Sequence, residues 1–421
     1  MLHKFPYKEF EPIEIPDSLI SGMYALADSA PAMSNTEIVQ AALNNPIGTK
    51  RLGSEVSADM KIVIAVDDGS RSTHTELMLP LVLEQFAAAG IPAENVTIFI
   101  ALGTHRQMTR IEMNQKYTAD VVSRYRFINP NWKDASAYIK AGVSSRGFDI
   151  RIHKEILQAD YVIGIGQTIP HMIAGFGGGC KIINPGCADG DTIGEMHWLC
   201  SEVPPGELFA VRDNLVRQTI DEVAIKAGLK FILNEVPGSH DRIAGAFAGH
   251  PALAHKQACD FAKHICQVPI KEKADIVIAD TYPADIDFWQ ALKGVNAAYG
   301  AVKEGGTVIC VTPCPEGTSS QHKELLTMGY NLPMQQIREL VSKGKLGKAI
   351  AANLLLGRQL LDKADAILVT KGISEKNTRA MGFGWATDPA AALQMAIDKY
   401  SESVSINILY KASKMICMVG E

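Results

Sequence analysis

The sequence has no apolar run long enough to cross a bilayer, and its mean hydropathy is only +0.04. A helical membrane protein is therefore not expected. It also lacks a surplus of positive charge: 41 Lys and Arg stand against 46 Asp and Glu, with a pI near 6.1. A nucleic-acid binder would usually carry a basic stripe, so nucleic acid is not an expected partner. Paired cysteines are missing as well. Eight cysteines are spread over 421 residues without a CxxC, and no histidine pair stands near them at zinc-finger spacing. That excludes a disulfide framework and a zinc ribbon, leaving reduced thiols. The opening "MLHKFPYKEFEPIEIPDS" lacks the apolar core and small-residue cleavage site of a secretory signal. A cytoplasmic location is the expectation. No solenoid-length repeat and no low-complexity segment is present.

What is there is an alternation of apolar strands and amphipathic helices. "MKIVIAVDDGSR" (60–71) reads as a buried strand entering a polar turn, and 74–90 has helical periodicity closed by Gly90. "NVTIFIALGTHR" (95–106) and "ADYVIGIGQTIPHM" (159–172) repeat the strand-then-turn pattern. Such alternation predicts an α/β fold with largely parallel sheets, in which ligands gather beyond the carboxyl ends of the strands. The pattern restarts after residue 268, with a strand at 274–280, a helix at 286–303 and a strand at 306–312. Two α/β domains are expected, with the active site in the cleft between them. The first, over 1–270, binds the cofactor; the second and smaller covers 271–405. The segment 406–421 is either the last strand of the second domain or packs back on the first.

Several residues carry chemistry. In "PHMIAGFGGGCKIINPG", Gly177, Gly178 and Gly179 precede Lys181. Bare backbone beside an ammonium suits an anion, although a glycine-rich turn with a solvated lysine would look the same. The P-loop pattern is not met, because Cys180 replaces its last glycine and Ile182 its magnesium-binding hydroxyl. His105 and His171 each follow a strand and a turn, as paired proton-transfer groups would. His197 falls in a helix expected to start around Asp189 or Asp191, where it is either a metal ligand or a core residue. Asp68 and Arg71 lie in the first polar turn, suited to a ribose hydroxyl and a carboxylate. Gln290 and Lys293 are three apart and share a helix face. Each feature alone has an ordinary structural reading; together they point to an α/β enzyme with an anion site and a group of histidines.

Taken in order, these residues resemble the lactate racemase family, whose members carry a nickel-pincer nucleotide. The resemblance rests on Asp68 to Arg71, "ALGTHR" with His105, "PHMIAGFGGGCK" with His171 and Lys181, the later His197, and "WQALK" with Gln290 and Lys293. It implies an isomerase that inverts C2 of a 2-hydroxy carboxylate. Hydride passes reversibly to the cofactor through a 2-keto acid, with His105 and His171 as the acid/base pair. It implies Lys181 as the covalent attachment point, in a thioamide. It implies His197 as the protein ligand to nickel, in a roughly square-planar site. Gly177, Gly178, Gly179 and Asp68 would contact the nucleotide, and Arg71, Trp289, Gln290 and Lys293 the substrate. The implied partners are the small-molecule substrate and the enzymes that synthesise the pincer. Trp289 stands where tyrosine is expected in the lactate enzyme, which widens the expected substrate to longer, dicarboxylic or sugar-derived 2-hydroxy acids. Two other readings stay open: a nucleotide-dependent ligase or kinase, and a non-catalytic nickel or cofactor store.

Overall fold

A computed structural model describes residues 1–28, 31–240, 242–400 and 403–420. The chain divides into two compact units, one formed by residues 28–265 and the other by 1–27 together with 266–421. The first 27 residues thus fall outside the unit to which the sequence pattern assigned them. The reason is packing. Phe5, Tyr7, Phe10, Ile13 and Ile15 are buried in the second unit's core, and Ile20–Tyr24 (β1) pairs in parallel with Ile406–Leu409. Each such side chain removed from water contributes about 1.5–3 kcal/mol, enough to fix where the segment docks.

Within 28–265, helix α1 (Asn35–Asn44) opens with a capping box between Ser34 and Glu37. The sheet is built from β2 (Ile62–Val66), β3 (Val96–Ile100), β4 (Arg126–Ile128), β5 (Tyr161–Gln167), β6 (Leu229–Pro237) and β7 (Ile243–Gly249). Its order is β7-β6-β5-β2-β3-β4, and only β7 runs antiparallel to its neighbour. Both faces are covered. This is why β2 (IVIAV) and β5 (YVIGIGQ) are buried at every position, instead of alternating. Helix α2 (Thr75–Ala88) buries Met78, Val82 and Phe86 in the same core as Ile64 and Ile98. Helices α3 (Gly190–Trp198), α4 (Leu215–Lys226) and α5 (Pro251–Cys266) follow along the chain. Register determines where the polar turns gather. Val66 at the end of β2 sits opposite Ile100 and Ile165, so the loops after β2, β3 and β5 emerge at one sheet edge.

The second unit carries a six-stranded, all-parallel sheet. Its strands are β8 (Ala274–Asp280), β9 (Val302–Val311), β10 (Asp365–Val369), β11 (Gly384–Ala386) and β12 (Ile406–Leu409), in the order β11-β10-β9-β8-β12-β1. Helix α6 (Phe288–Tyr299) is capped by Asp287, whose side chain accepts the Gln290 N–H. The C-terminal segment belongs to this unit and not to the first. β12 is inserted between β8 and β1, and Ile416–Val419 pairs with Gln267–Ile270. Among the described residues no helix is long and apolar enough to cross a membrane. Seven of the eight cysteines are buried.

Candidate active site

The loop after β2 begins with two carboxylates in different states. Asp68 is 5% exposed and takes the His105 Nδ1–H at 2.6 Å, while Ser70 donates its hydroxyl to the other oxygen at 2.5 Å. Burial alone would raise the Asp68 carboxyl. His105, Arg71 and Ser70 outweigh it and hold the group below the usual carboxylate range. Asp67 next door is pushed up to about 6, by burial first and then by the Asp68 charge, against the pull of Lys116, Thr73 and Arg71. Lys116 braces the loop by donating to the carbonyls of Arg71 and Thr73, both at 2.7 Å. On β6, fully buried Glu235 accepts from the His74 ring at 3.0 Å and pins the start of α2. Asp68 was expected to meet the nucleotide; the partners seen for its carboxylate are His105 and Ser70.

Tautomers are set by these partners. An ionised carboxylate can only accept, so His105 carries its proton on Nδ1 and, when neutral, a lone pair on Nε2. His171 is arranged the other way. It lies in a small hairpin in which Pro170–His171 pairs with Gly175–Phe176, and its Nδ1 accepts the N–H groups of Ile173 and Ala174, each at 3.2 Å. Neutral His171 therefore bears its proton on Nε2.

The glycine segment is shaped mainly by its own interior. Gly178 and Gly179 have φ of +73° and +60°; a Cβ would meet the Gln167 carbonyl oxygen at 2.7 Å and the His255 ring at 2.5 Å, respectively. Two of the three N–H groups in this glycine run are turned to partners inside the protein. Gly177 donates to the Ile169 carbonyl at 2.7 Å, and Gly179 to Asn234 Oδ1 at 2.6 Å. Lys181 comes next, in a 3-10 turn (Gly179–Ile182). Burial first, then the positive charges of Arg71 and Arg217, pull its amine well below the ordinary lysine range. A lysine shifted in this direction loses its proton more readily and so gains nucleophilic character. Close by in sequence, Thr168 and Asn184 are fully buried, and neither the Thr168 hydroxyl nor the Asn184 side-chain amide has a hydrogen-bonding partner among the described residues. Buried polar groups normally find partners, so this surrounding suits a polar ligand.

His197 sits in the last turn of α3, whose N-cap is Asp189, accepting the Thr192 N–H at 2.9 Å. Its Nδ1–H donates to the Ile193 carbonyl at 2.8 Å, which puts the ring lone pair of neutral His197 on Nε2. Among the described residues no group of three or more His, Cys, Asp or Glu side chains is arranged to hold a metal ion. A metal at His197 would have to bring its other donors with it, as a pincer does. The buried Lys181 amine, with its lowered basicity, and the His197 imidazole are residue types suited to the two attachments of such a group.

In the second unit, α6 places Trp289, Gln290 and Lys293 on one side. Lys293 donates to Gln290 Oε1 at 2.5 Å, and Trp289 stacks on His322 with ring centroids 4.4 Å apart. Trp385 spends its indole N–H on the Ile373 carbonyl at 3.2 Å. Sequence reasoning missed Arg217, His255 and Asn234, all of which hold the glycine segment. Arg217 falls beside the apolar stripe of Val216, Ile220 and Val223 and reads as a solvated position; only the Asn214 cap three residues earlier hints at its place.

A largely parallel α/β unit that brings histidines of opposite tautomer to one sheet edge, beside a buried lysine of lowered basicity, suits an enzyme of proton-transfer chemistry. Comparison with known proteins specifies it. The Lactate racemase N-terminal domain matches residues 7–205 and the Lactate racemase C-terminal domain residues 270–416. The lactate racemase of Thermoanaerobacterium thermosaccharolyticum is 32% identical over 406 residues, covering 94% of each chain. That of Lactiplantibacillus plantarum is 33% identical over 317 residues, covering 72% of this chain and 74% of its own. The solved lactate racemase apoprotein from T. thermosaccharolyticum superposes with a TM-score of 0.86 at 31% identity, over 99% of this chain and 100% of that one. A Thermotoga maritima protein shares the fold at a TM-score of 0.75 and 20% identity, over 94% and 100% of the two chains. The chain belongs to the lactate racemase family, and it is an isomerase of the racemase class.

Proposed function

We propose that this enzyme inverts C2 of a 2-hydroxy carboxylate, the class to which lactate belongs, using a nickel-pincer nucleotide carried on Lys181. The observation that carries the reading is the opposite protonation of His105 and His171 at one sheet edge. When bound, the cofactor would supply a hydride-accepting centre for C2 of the substrate. The protein's part is proton handling and grip. His105, held by Asp68, takes the hydroxyl proton at Nε2, and the buried carboxylate stabilises the imidazolium that results. His171 holds its Nε2–H toward the oxygen on the other side. Inversion removes one proton and gives one back, so the pair must share one exchangeable proton. His171 can act as base, or arrive doubly protonated, only when its Nδ1 parts from the Ile173 and Ala174 N–H groups. Each turnover then includes a local shift of the 171–174 hairpin. Lys181 and His197 would hold the cofactor; Arg71, Gln290 and Lys293 are assigned the substrate's carboxylate and hydroxyl, and Trp289 its side chain. The pincer-synthesis enzymes are the implied partners, and the cytoplasm is the implied compartment.

The test uses enzyme made beside those synthesis enzymes and a 2-hydroxy acid deuterated at C2, starting with lactate. Inversion with deuterium kept at C2 is expected. Inversion with full washout into solvent would mean deprotonation of C2 and would overturn the hydride reading.

A further inference from the structure

Arg217 has no exposed surface, yet it carries a full charge. It is the third residue of α4, where its own N–H is taken by the Asn214 side chain at 2.8 Å. From there its guanidinium spreads along the glycine segment. Nε donates to the Ala174 carbonyl at 3.3 Å, one terminal nitrogen to Phe176 and the other to Gly178 at 3.3 Å. His255 on α5, 1% exposed, donates from Nε2 to the Gly177 carbonyl at 2.8 Å. Burial and the Arg217 charge hold its imidazole neutral. The carbonyls of Ala174, Phe176, Gly177 and Gly178 thus each accept from one of two buried side chains, and those of Ala174 and Gly178 also take the backbone N–H groups of Phe176 and Lys181.

Holding a turn does not require a cation there. Burying a guanidinium costs several kcal/mol unless it is well paired. Asp221 Oδ1 stands 3.8 Å from Arg217, beyond hydrogen-bond length, and its other oxygen is taken by Arg212 at 2.9 Å. Neutral donors could satisfy the same carbonyls. What the charge adds is its effect on the neighbouring lysine.

We propose that Arg217, seconded by His255, is a positioning residue for Lys181: it fixes the glycine segment from the interior and so presents the lysine amine for covalent attachment. This rests on the reading that Lys181 carries the cofactor. Attachment joins the Lys181 nitrogen to a thiocarboxyl carbon, and that carbon's oxygen leaves as water with one amine and one thiol hydrogen; no electrons are exchanged. The amine must be uncharged for this. The charges acting on it are Arg71, from the loop after β2, and Arg217, from α4.

The experiment compares the unaltered protein with Arg217→Met and Arg217→Lys, each shown to be folded by thermal unfolding. Made beside the pincer-synthesis enzymes, each is weighed intact for adduct occupancy. Made without them, each is treated with acetic anhydride from about pH 6 to about pH 10, and peptide mass spectrometry follows acetylation of Lys181 against exposed lysines. Arg217→Met should lose adduct at least about tenfold, and its Lys181 acetylation midpoint should rise by about one pH unit or more. Arg217→Lys keeps the charge but not the fork, so it should keep the midpoint and still load poorly. A folded Arg217→Met with normal loading and midpoint would overturn the proposal. If that variant does not fold, normal loading of Arg217→Lys overturns it. If the unaltered protein shows no adduct, the cofactor reading has failed, and an unmoved acetylation midpoint in a folded Arg217→Met then decides against the clamp.

Discussion

Replacing Asp68 by Asn is the sharpest probe of the site, because it changes one atom and two properties. The 2.6 Å contact to His105 joins an ionised carboxylate to an imidazole inside the protein. Hydrogen bonds of that kind contribute roughly 1.5–3 kcal/mol. At about 1.4 kcal/mol per factor of ten, the variant should lose about 10- to 150-fold in rate. A second effect pushes toward the upper end. An amide can turn its NH2 toward Nδ1, which moves the imidazole proton to Nε2 and removes the lone pair the base needs. The Asp68 carboxyl is held below its ordinary range, so it is ionised at neutral pH. Its stabilisation is present above the unfolded value, near about 3.9, and is lost as pH falls through the lower folded value. The deficit it leaves should therefore be flat above about pH 4. Steady-state rates cannot isolate the effect. Enantiomers are equal in free energy, so kcat/KM must fall equally in both directions. A single turnover can. Each enantiomer is mixed with excess loaded enzyme, quenched, and assayed for 2-keto acid. Asp68→Asn should slow the enantiomer whose hydroxyl meets His105 and spare the other. Equal slowing of both, or no slowing in a folded variant, would refute the assignment of Asp68 and His105.

Lys181→Ala should abolish the covalent adduct on intact-mass analysis while leaving the thermal midpoint close to that of the unaltered apoprotein; an adduct at full occupancy elsewhere would end the attachment role. His197→Ala should keep the Lys181 adduct but lower nickel per chain in elemental analysis, since its Nε2 is assigned to the metal alone. His153, packed edge-on against Phe99 and Tyr138, has its imidazole pushed down to about 4, by burial first, with Lys154 and Arg126 adding to the fall. Between about pH 6.5 and that folded value the unfolded chain binds the extra proton, so stability should rise with pH across this window. His153→Phe should flatten that slope in pH-dependent thermal unfolding, and an unchanged slope would place its origin elsewhere.

The first unit was legible because its strands are buried on both faces and so read as continuous apolar runs, each ending in a polar turn. Parallel register then carries those turns to one edge, which brings His105 and His171 to the same side. The N-terminal segment could not be read this way. Ile20–Tyr24 is a short edge strand with half-exposed residues, and its partner Ile406–Leu409 lies almost the whole chain away. No local pattern records that pairing. Nor does a local pattern distinguish Arg217 from a surface arginine, since its partners are carbonyls of a segment whose path only the fold determines.

The glycine cluster shows where reading by residue type misleads. Clustered glycines suggested backbone N–H groups aimed at a ligand, but two of those donors are spent inside the protein. The three glycines also differ in need. Gly178 and Gly179 have left-handed φ, and a Cβ on either would meet atoms below 3.0 Å. Left-handed backbone costs an ordinary residue about 1–2 kcal/mol before any clash is counted. At Gly177 a Cβ would meet nothing closer than 3.5 Å, an ordinary contact, and its N–H bond to Ile169 would survive. Gly177→Ala should therefore fold with a thermal midpoint near that of the unaltered protein, while Gly178→Ala should be clearly destabilised. If ligand chemistry is concentrated on Lys181 and His197, Gly177→Ala should also load its cofactor normally. Loss of the adduct in a folded Gly177→Ala would instead mean that the ligand lies against Gly177 and needs the space a methyl group would take.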